Sequence, residues 1–364
     1  MKKVLLSDLK SGMITAEDVY SIDGQLIVPK NIALTENLIA RIFSFDIFSI
    51  KVQDEVLSVA PIETASASPD PEQDSYVEKL RNSPEFQAFK EEFKENVGKL
   101  QFAFNSLIEK NTEFDPGTIL EDTLEMISHR SMPSSIMDVL LNMQEYDDCT
   151  YAHSLNVAMI CNIFAGWLHF SPQDREIATA CGLFHDIGKL KMPPEIIKKP
   201  GKLTPDEFKI IKTHPLESYK MISRFQLPDE VKNAALMHHE RCDGSGYPYG
   251  FTGDKITRFS KLVAIADVYE AMTSPRVYRG AMCPFKVITH FENDGLQKYD
   301  PGFLLTFLEN VVNTFLNQKV RLSNGLEGTI IFVNPVALSK PVVHIGEKFV
   351  DLQAVHDVDI TAII

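Results

Sequence analysis

The sequence predicts a mainly α protein, a helical bundle with small β modules at its N- and C-terminal ends. From about residue 146 to 318, helix-start signals and apolar runs follow one another, whereas both ends of the chain carry hairpin turns and short strand patterns. With 364 residues and 44% hydrophobic content, the chain can bury a sizeable core and has the length of two or three domains.

Five segments follow from the changes in pattern. The first contains a hairpin turn at 22–25. It is interpreted as a docking or regulatory module because none of its residues carries chemistry. The second is rich in Pro, Ser and acidic residues, which cannot form a core. In order, the predicted segments are a small α/β module (1–55), a linker (56–75), a helical connecting region (76–145), the main helical domain (146–318) and a small β appendage (319–364).

An apolar stripe predicts a long amphipathic helix over 84–110. Its members recur at intervals of three and four residues: Phe86, Phe89, Phe93, Val97, Leu100, Phe104 and Leu107. Such a stripe must pack on something. The helices that follow it are one partner, and a seam that would make this helix a homodimer interface is the alternative.

Charge and composition exclude several function classes. The net charge of -14 argues against binding to DNA or RNA duplexes or to an anionic membrane, because phosphate contacts need a positive surface. No stretch approaches the roughly 20 apolar residues of a membrane span, and the first residues lack a signal-peptide pattern. The five cysteines show no paired spacing, which is typical of free thiols. We therefore expect a cytoplasmic protein.

Two apolar helices carry polar side chains that are costly to bury. A helix that starts at Ser171-Pro172 runs through apolar residues to His185-Asp186, with Lys189 one turn further on. Asp267 lies in the middle of the apolar run 262–269. A buried carboxylate needs compensation, and a bound cation is the usual one.

The helical domain contains seven side chains of metal-ligand type, most of them at or near predicted helix ends: His153, His185, Asp186, His214, His238, His239 and Asp267. Five imidazoles and two carboxylates suit a pair of divalent first-row metal ions better than Mg²⁺ or Ca²⁺. Asp186 is the candidate bridge between the two ions. Paired ions of this kind are typical of phosphodiester hydrolysis. The other histidines, among them His290, are interpreted as surface or structural residues.

These motifs resemble the HD superfamily of metal-dependent phosphohydrolases. His214-Pro215 and the run from His238 to Pro248 resemble the HD-GYP subgroup, whose members hydrolyse the cyclic dinucleotide c-di-GMP. The match covers about residues 146–315 and includes the motifs at 186–189, 199–204 and 266–269, in the family's order.

The resemblance implies that the seven side chains are metal ligands and that two divalent ions, Fe or Mn, are the cofactors. It makes Asp186 and Lys189 catalytic, with Lys189 touching the scissile phosphate. The remaining implied substrate-binding residues are Gly246, Tyr247 and Pro248 in the pocket wall, and Arg276 and Arg279 on the substrate phosphates. Each of these cations also has a simpler interpretation. Lys189 fits a lysine that interacts with a helix C-terminus, and Arg276 and Arg279 fit a solvated basic turn.

The chain departs from the family pattern at three positions. Members with three metals carry a glutamate one turn before the first histidine, where this chain has Cys149. We therefore expect two metal ions. Cys242 and Pro275 replace the usual tryptophan and aspartate near the pocket, which bears on affinity and product pattern.

The expected function is metal-dependent hydrolysis of c-di-GMP to linear pGpG, or onward to GMP, in a bacterial signalling protein with a protein partner. Two alternatives stay open. One is a non-catalytic sensor that binds a dinucleotide through the same ligands. The other is an HD phosphohydrolase for another cyclic dinucleotide, such as the mixed one.

Overall fold

The computed structural model describes most of the helical segment and parts of both ends. The described residues are 2–5, 9–10, 13–20, 26–28, 30, 32, 34, 39, 42, 49–53, 82–109, 115–128, 150–199, 201–275, 280–355 and 357–364. The chain divides into two compact units, one formed by residues 1–76 with 315–364 and the other by residues 77–314. The predicted linker at 56–75 lies outside the described residues.

Helices make up the unit of residues 77–314. They are α1 (Pro84–Glu109), α2 (Pro116–Ser128), α3 (Thr150–Trp167), α4 (Pro172–Phe184), a 3₁₀ helix (Ile187–Lys191), α5 (Pro194–Ile197), α6 (Pro205–Ile211), α7 (His214–Ile222), α8 (Asp229–Met237), α9 (Arg258–Thr273), α10 (Pro284–Lys298) and α11 (Pro301–Asn313). The mainly α prediction is confirmed.

The centre of the bundle is formed by α3, α4 and α9, which pack against one another. Both α3 and α9 are buried on nearly every side, as the all-round apolar sequence of α3 predicts. Gly182 in α4 permits a close crossing, because a Cβ there would lie 2.7 Å from the Cα of Ala158 in α3. Because these three helices pack so closely, the ends of the helices and the polar side chains on them are held in fixed positions.

The predicted helix starts are confirmed by their caps. The Ser171 hydroxyl accepts a hydrogen bond from the Asp174 N–H at 3.1 Å and begins α4. Thr204 and Glu207 form a capping box at the start of α6, and Asp300 caps α11. These caps are local, so the sequence identifies them without knowledge of the fold.

The apolar stripe of α1 is buried inside its own chain. Phe93 and Phe104 are fully buried, and the Phe104 ring packs 6.2 Å from Phe184 of α4 and 6.1 Å from Tyr151 of α3. Of the two partners considered for this stripe, the helices that follow it therefore cover it. Phe102, on another face of α1, is 76% exposed.

Strands form the other unit. A five-stranded antiparallel sheet has the order β8-β7-β6-β5-β9, and β1 pairs with β4 and β2 with β3. Their bounds are β1 (Lys2–Leu5), β2 (Val19–Tyr20), β3 (Leu26–Val28), β4 (Ser49–Val52), β5 (Lys319–Leu322), β6 (Glu327–Phe332), β7 (Val342–Ile345), β8 (Lys348–Asp351) and β9 (Ile360–Ile363). The strands on either side of the predicted turn at 22–25 pair with each other, although the turn itself lies outside the described residues. β5 and β6 form a hairpin in the C-terminal segment.

The two ends of the chain share one hydrophobic core. Val28, Ile42 and Ile50 from the N-terminal segment are buried in the same cluster as Val342, and Phe349 packs against it. The sequence pattern of each end predicts a separate module, because no local pattern joins residues so far apart. Among the described helices, no segment has the length and hydrophobicity of a membrane span.

The burial of the α1 stripe generates a stability prediction. Replacing Phe104 by alanine should lower the free energy of unfolding of the helical unit by about 3–5 kcal/mol, because a fully buried aromatic ring is lost. Urea denaturation followed by circular dichroism measures the change.

Phe102→Ala is the matched control, two residues away on the same helix. Because its ring is solvated, its loss should change the free energy of unfolding by no more than about 0.5 kcal/mol. A Phe102 variant that destabilises as much as the Phe104 variant would contradict the packing described for α1.

Candidate metal centre and its pocket

Helix ends bring the candidate ligands together. His185 caps the C-terminus of α4, Asp186 follows it, and His238 caps the C-terminus of α8. His214 is the first residue of α7. Side chains at helix ends can converge from several directions, which side chains along one helix cannot.

Gly188 allows the 3₁₀ helix after Asp186 to touch α7. A Cβ at this position would lie 2.2 Å from the carbonyl oxygen of His214 and 2.3 Å from the Ser218 nitrogen, which leaves no room for a side chain. The Gly188 N–H donates to the Ser218 hydroxyl at 2.8 Å. This close contact places Asp186 beside His214.

All seven predicted ligands lie in two groups that share one residue. The first group is His153, His185, Asp186 and Asp267, and the second is Asp186, His214, His238 and His239. Within each group the potential ligand atoms lie within 4.8 Å of one another. The structure therefore brings together every ligand that the sequence predicts.

The Asp186 carboxylate faces both groups at once. Its Oδ1 atom lies 3.1 Å from His214 Nε2 and 3.6 Å from His238 Nε2. Its Oδ2 atom lies 3.2 Å from His153 Nε2 and 3.4 Å from His185 Nε2. One oxygen toward each group is the arrangement expected of a bridging ligand.

Asp267 completes the first group from α9. Its Oδ1 atom lies 3.2 Å from His153 Nε2 and 3.8 Å from His185 Nε2. Its Oδ2 atom is 3.9 Å from His239 Nδ1. The buried carboxylate inferred from the apolar sequence around Asp267 is thus directed at imidazoles.

The histidine tautomers leave lone pairs directed into the cluster. Nδ1 of His185 lies 2.7 Å from the Gly182 carbonyl, and Nδ1 of His214 lies 2.7 Å from the Ile211 carbonyl. Because carbonyl oxygens only accept, each Nδ1 carries the proton and each Nε2 presents a lone pair. His238 Nδ1 contacts the Ala235 carbonyl in the same way, at 3.0 Å.

These lone pairs need a cation. Nε2 of His214 and Nε2 of His238 face each other at 3.2 Å, although neither carries a hydrogen in these tautomers. The Nε2 atoms of His153 and His185 and the Oδ1 atom of Asp186 are buried without a hydrogen-bond partner among the described residues. Divalent ions would satisfy all of these atoms, so the residues present fit a metal centre.

The charge states of His238, His239 and Asp186 agree with metal binding. Burial opposes charge on His153 and His185, but the carboxylates beside them raise the pKa of both, and a bound cation would oppose that protonation. Burial lowers the pKa of His238 to about 4, and burial with the neighbouring His238 holds the pKa of His239 well below its ordinary value. Both side chains are therefore neutral, the form that binds metals. Burial alone would raise the pKa of Asp186, but Lys189 and His185 hold it well below the ordinary value, so the carboxylate is ionised.

The family model described as HD domain matches residues 120–303, half of the chain. The chain belongs to the HD domain family. The resemblance found in its motifs is confirmed, and the HD domain coincides with the helices that carry the two ligand groups.

Relatives of the HD domain include named phosphodiesterases. A cyclic di-GMP phosphodiesterase of Pseudomonas aeruginosa is 34% identical over 202 residues, which cover 55% of this chain and 48% of that protein. A 3'3'-cGAMP-specific phosphodiesterase of Vibrio cholerae is 40% identical over 151 residues, which cover 40% of this chain and 35% of that protein. The chain thus spans half or less of the length of these relatives.

A solved structure shares the fold. An HDG"Y"P protein from Bdellovibrio bacteriovorus superposes with a TM-score of 0.52 at 14% sequence identity, covering 86% of this chain and 99% of that protein. At this identity the likeness concerns the fold alone.

The HD domain also uses a carboxylate that the sequence analysis did not select. Glu270 Oε2 lies 2.5 Å from His153 Nδ1, and Glu270 Oε1 accepts hydrogen bonds from Asn156 at 3.2 Å and Ser274 at 2.7 Å. Glu270 therefore fixes the ring of His153 so that Nε2 points at the cluster. Its signal in the sequence is a second carboxylate one turn after Asp267 in the same apolar helix.

The glycine-rich loop is fixed to the HD domain by Glu240. This buried carboxylate accepts the backbone N–H groups of Tyr249 at 2.8 Å and Phe251 at 2.9 Å. A Cβ on Gly246 would lie 2.4 Å from the Glu240 Cα, so the loop crosses its own start closely. Tyr247 then stacks on His239 with ring centroids 4.6 Å apart.

A pocket of about 400 Å³ opens beside His239. Gly246 and Tyr247 line it, as predicted, whereas the adjacent Pro248 is not among its lining residues. His290, which the sequence analysis interprets as surface or structural, also lines this pocket. The remaining described lining residues are Phe208, Lys212, His239, Arg241, Ser245, Val268, Phe291, Asp294, Gly295, Lys298 and Tyr299.

Of the three cationic residues predicted to contact the substrate, the structure describes only Lys189. Lys189 Nζ contacts Asp186 Oδ2, and its side chain is 24% exposed, so it reaches from the buried cluster toward solvent. Arg276 and Arg279 lie outside the described residues, as does Cys149. Their predicted roles stay predictions.

The contact between Glu270 and His153 generates a prediction about metal affinity. Glu270→Ala should weaken the binding of one of two ions by about 10- to 100-fold, because His153 loses the group that orients it. Glu270→Gln should weaken it less, since an amide oxygen still accepts the Nδ1 hydrogen. Calorimetric titration of Mn²⁺ into metal-free protein measures both.

Glu309→Gln, which neutralises an exposed carboxylate on α11, is the control for charge alone. It should bind Mn²⁺ as the unaltered protein does. Unchanged affinity in both Glu270 variants would show that this residue does not position His153.

Proposed function

We propose that the helical unit is a metal-dependent phosphodiesterase that hydrolyses a cyclic dinucleotide, with c-di-GMP as the first candidate substrate. The observation that carries this proposal is the position of Asp186, which directs one carboxylate oxygen at each of two imidazole groups next to a pocket of about 400 Å³. A volume of this size lies within the roughly 300–1,000 Å³ typical of small-molecule sites.

Two divalent ions, Fe or Mn, are the proposed cofactors. One would be held by His153, His185, Asp186 and Asp267, and the other by Asp186, His214, His238 and His239. Mixed imidazole and carboxylate ligands favour first-row transition metals over Mg²⁺ or Ca²⁺. When bound, such a pair activates water at neutral pH and stabilises the charge that develops on a phosphoryl group.

Asp186 and Lys189 are the proposed catalytic residues. Asp186 belongs to both ligand groups and would therefore set the distance between the two ions. It is ionised because Lys189 and His185 lower its pKa. The Lys189 ammonium lies at the exposed edge of the cluster, where it can contact a phosphate oxygen and compensate charge on the leaving oxygen. Arg276 and Arg279 are proposed to hold the substrate phosphates.

The proposed reaction consumes one water for each bond cleaved. A water oxygen forms a bond to phosphorus, the P–O3′ bond breaks, and a proton passes to the 3′ oxygen. The product of the first cleavage is linear pGpG, and a second cleavage would give GMP.

The named activities of the two relatives support this substrate class. One is a cyclic di-GMP phosphodiesterase and the other is specific for 3'3'-cGAMP. Because the 3'3'-cGAMP-specific relative is 40% identical over its matched segment, the mixed dinucleotide is kept as a second candidate substrate.

The unit of residues 1–76 and 315–364 is proposed to be regulatory and to contact a signalling protein. Among its described residues, no group of three or more metal-ligand side chains comes together. We therefore assign the chemistry to the helical unit alone.

The proposal predicts distinct effects for ligand and lysine substitutions. His185→Ala and Asp186→Ala should remove bound metal and abolish hydrolysis, because each loses a ligand of the centre. Lys189→Ala should keep the metal and lower kcat by about 100-fold or more, the size of effect seen when one group that stabilises transition-state charge is removed. Product separation after incubation with c-di-GMP and with 3'3'-cGAMP, together with elemental analysis, measures both effects.

Lys191→Ala, which removes a lysine from the same 3₁₀ helix, is the control and should behave as the unaltered protein. Tight binding of either dinucleotide without turnover would indicate a sensor in place of an enzyme. Loss of metal in the Lys189 variant would mean that its role is structural.

A further inference from the structure

One wall of the pocket is a single face of α10. His290, Asp294 and Lys298 all line the pocket and follow one another at intervals of four residues, which places them on the same side of the helix. Tyr247 and Phe208 line it as well, with ring centroids 6.3 Å apart. The pocket thus combines a polar helix face with aromatic surface.

This wall is held in a fixed position relative to the glycine-rich loop. The Cys242 N–H donates to the Lys298 carbonyl at 2.8 Å, which joins the loop to the end of α10. The Arg241 guanidinium lies 5.0 Å above the ring of Tyr299, the residue after α10. Side chains on the α10 face therefore have a defined distance from Tyr247 and from the metal ligand His239.

One charged side chain of the pocket has the opposite sign from the others. Lys212, Arg241 and Lys298 are cations suited to an anionic substrate, yet among the described lining residues Asp294 alone carries a carboxylate. Beside substrate phosphates a carboxylate would weaken binding by repulsion. It would strengthen binding where it accepts hydrogen bonds from an uncharged, donor-bearing part of the substrate.

We propose that Asp294 recognises a guanine base of the substrate and discriminates it from adenine. Guanine presents two adjacent donors, N1–H and the N2 amino group, which match the two oxygens of one carboxylate. Adenine presents the N1 lone pair at the same place, which the carboxylate repels. This inference rests on the proposed function, because it takes a cyclic dinucleotide as the ligand of this pocket.

Neighbouring side chains complete the base site. Lys298 lies one turn from Asp294 on the same face and can donate to the guanine O6 atom. The Phe208 ring is 44% exposed at the pocket and offers a stacking surface. Aromatic stacking combined with hydrogen bonds to the Watson–Crick edge is a general way for proteins to read an unpaired base.

Asp294→Asn tests the assignment. The variant keeps the shape of the side chain but replaces one acceptor with a donor. Its preference for c-di-GMP over c-di-AMP, expressed as the ratio of kcat/KM values, should fall by at least about tenfold, the effect of losing a charge-assisted hydrogen bond. Glu292→Gln, on the same helix but not among the lining residues, is the charge-matched control and should keep the ratio.

Binding of the same dinucleotides to Mn²⁺-loaded protein, measured by calorimetry, separates this inference from the proposed function. If nothing is hydrolysed but the guanine preference in binding depends on Asp294, the phosphodiesterase proposal fails and the base assignment stands. Equal losses for both dinucleotides in the Asp294 variant, or an unchanged ratio, would overturn the assignment. So would an unaltered protein that prefers c-di-AMP, although cyclic dinucleotide hydrolysis would still stand.

Discussion

The structure of the helical unit depends on the burial of ligand atoms that cannot satisfy one another. Nε2 lone pairs of His214 and His238 face each other at 3.2 Å, and the His185 Nε2 and Asp186 Oδ1 atoms are buried without a hydrogen-bond partner among the described residues. Burying such groups without compensation costs several kcal/mol each, about as much as a domain's whole net stability when added over the cluster. Bound cations would remove this cost, which would link folding of the bundle to its chemistry.

The surrounding residues hold these atoms in place. Backbone carbonyls fix the imidazole tautomers, Glu270 orients His153, and Gly188 allows the 3₁₀ helix to reach α7. Glu240 fixes the loop that carries Tyr247. The contacts of His185 and His153 lie within the central helices α3, α4 and α9, whereas those of Gly188 and Glu240 fix the neighbouring segments that carry Asp186 and the glycine-rich loop.

Local features were predictable from the sequence, and contacts between distant segments were not. Ser171 and Thr204 cap the helices that their neighbouring residues indicate, and the seven candidate ligands stand out because they are residues of metal-ligand type inside or at the ends of the helices of one domain. Asp294 and His290 lie on a half-exposed amphipathic helix, where polar side chains are ordinary, so only packing of α10 against the loop reveals their place in the pocket. The shared core of the two chain ends was missed for the same reason, since burial between residues about 300 positions apart leaves no local pattern.

The most direct test of the account is anomalous diffraction at the iron and manganese absorption edges from crystals of protein purified without added metal, combined with elemental analysis. The account predicts two ions per chain, one on each side of the Asp186 carboxylate, each bound by imidazole nitrogens. A single ion that leaves one imidazole group uncoordinated, or a metal-free centre whose imidazoles turn toward solvent, would contradict it.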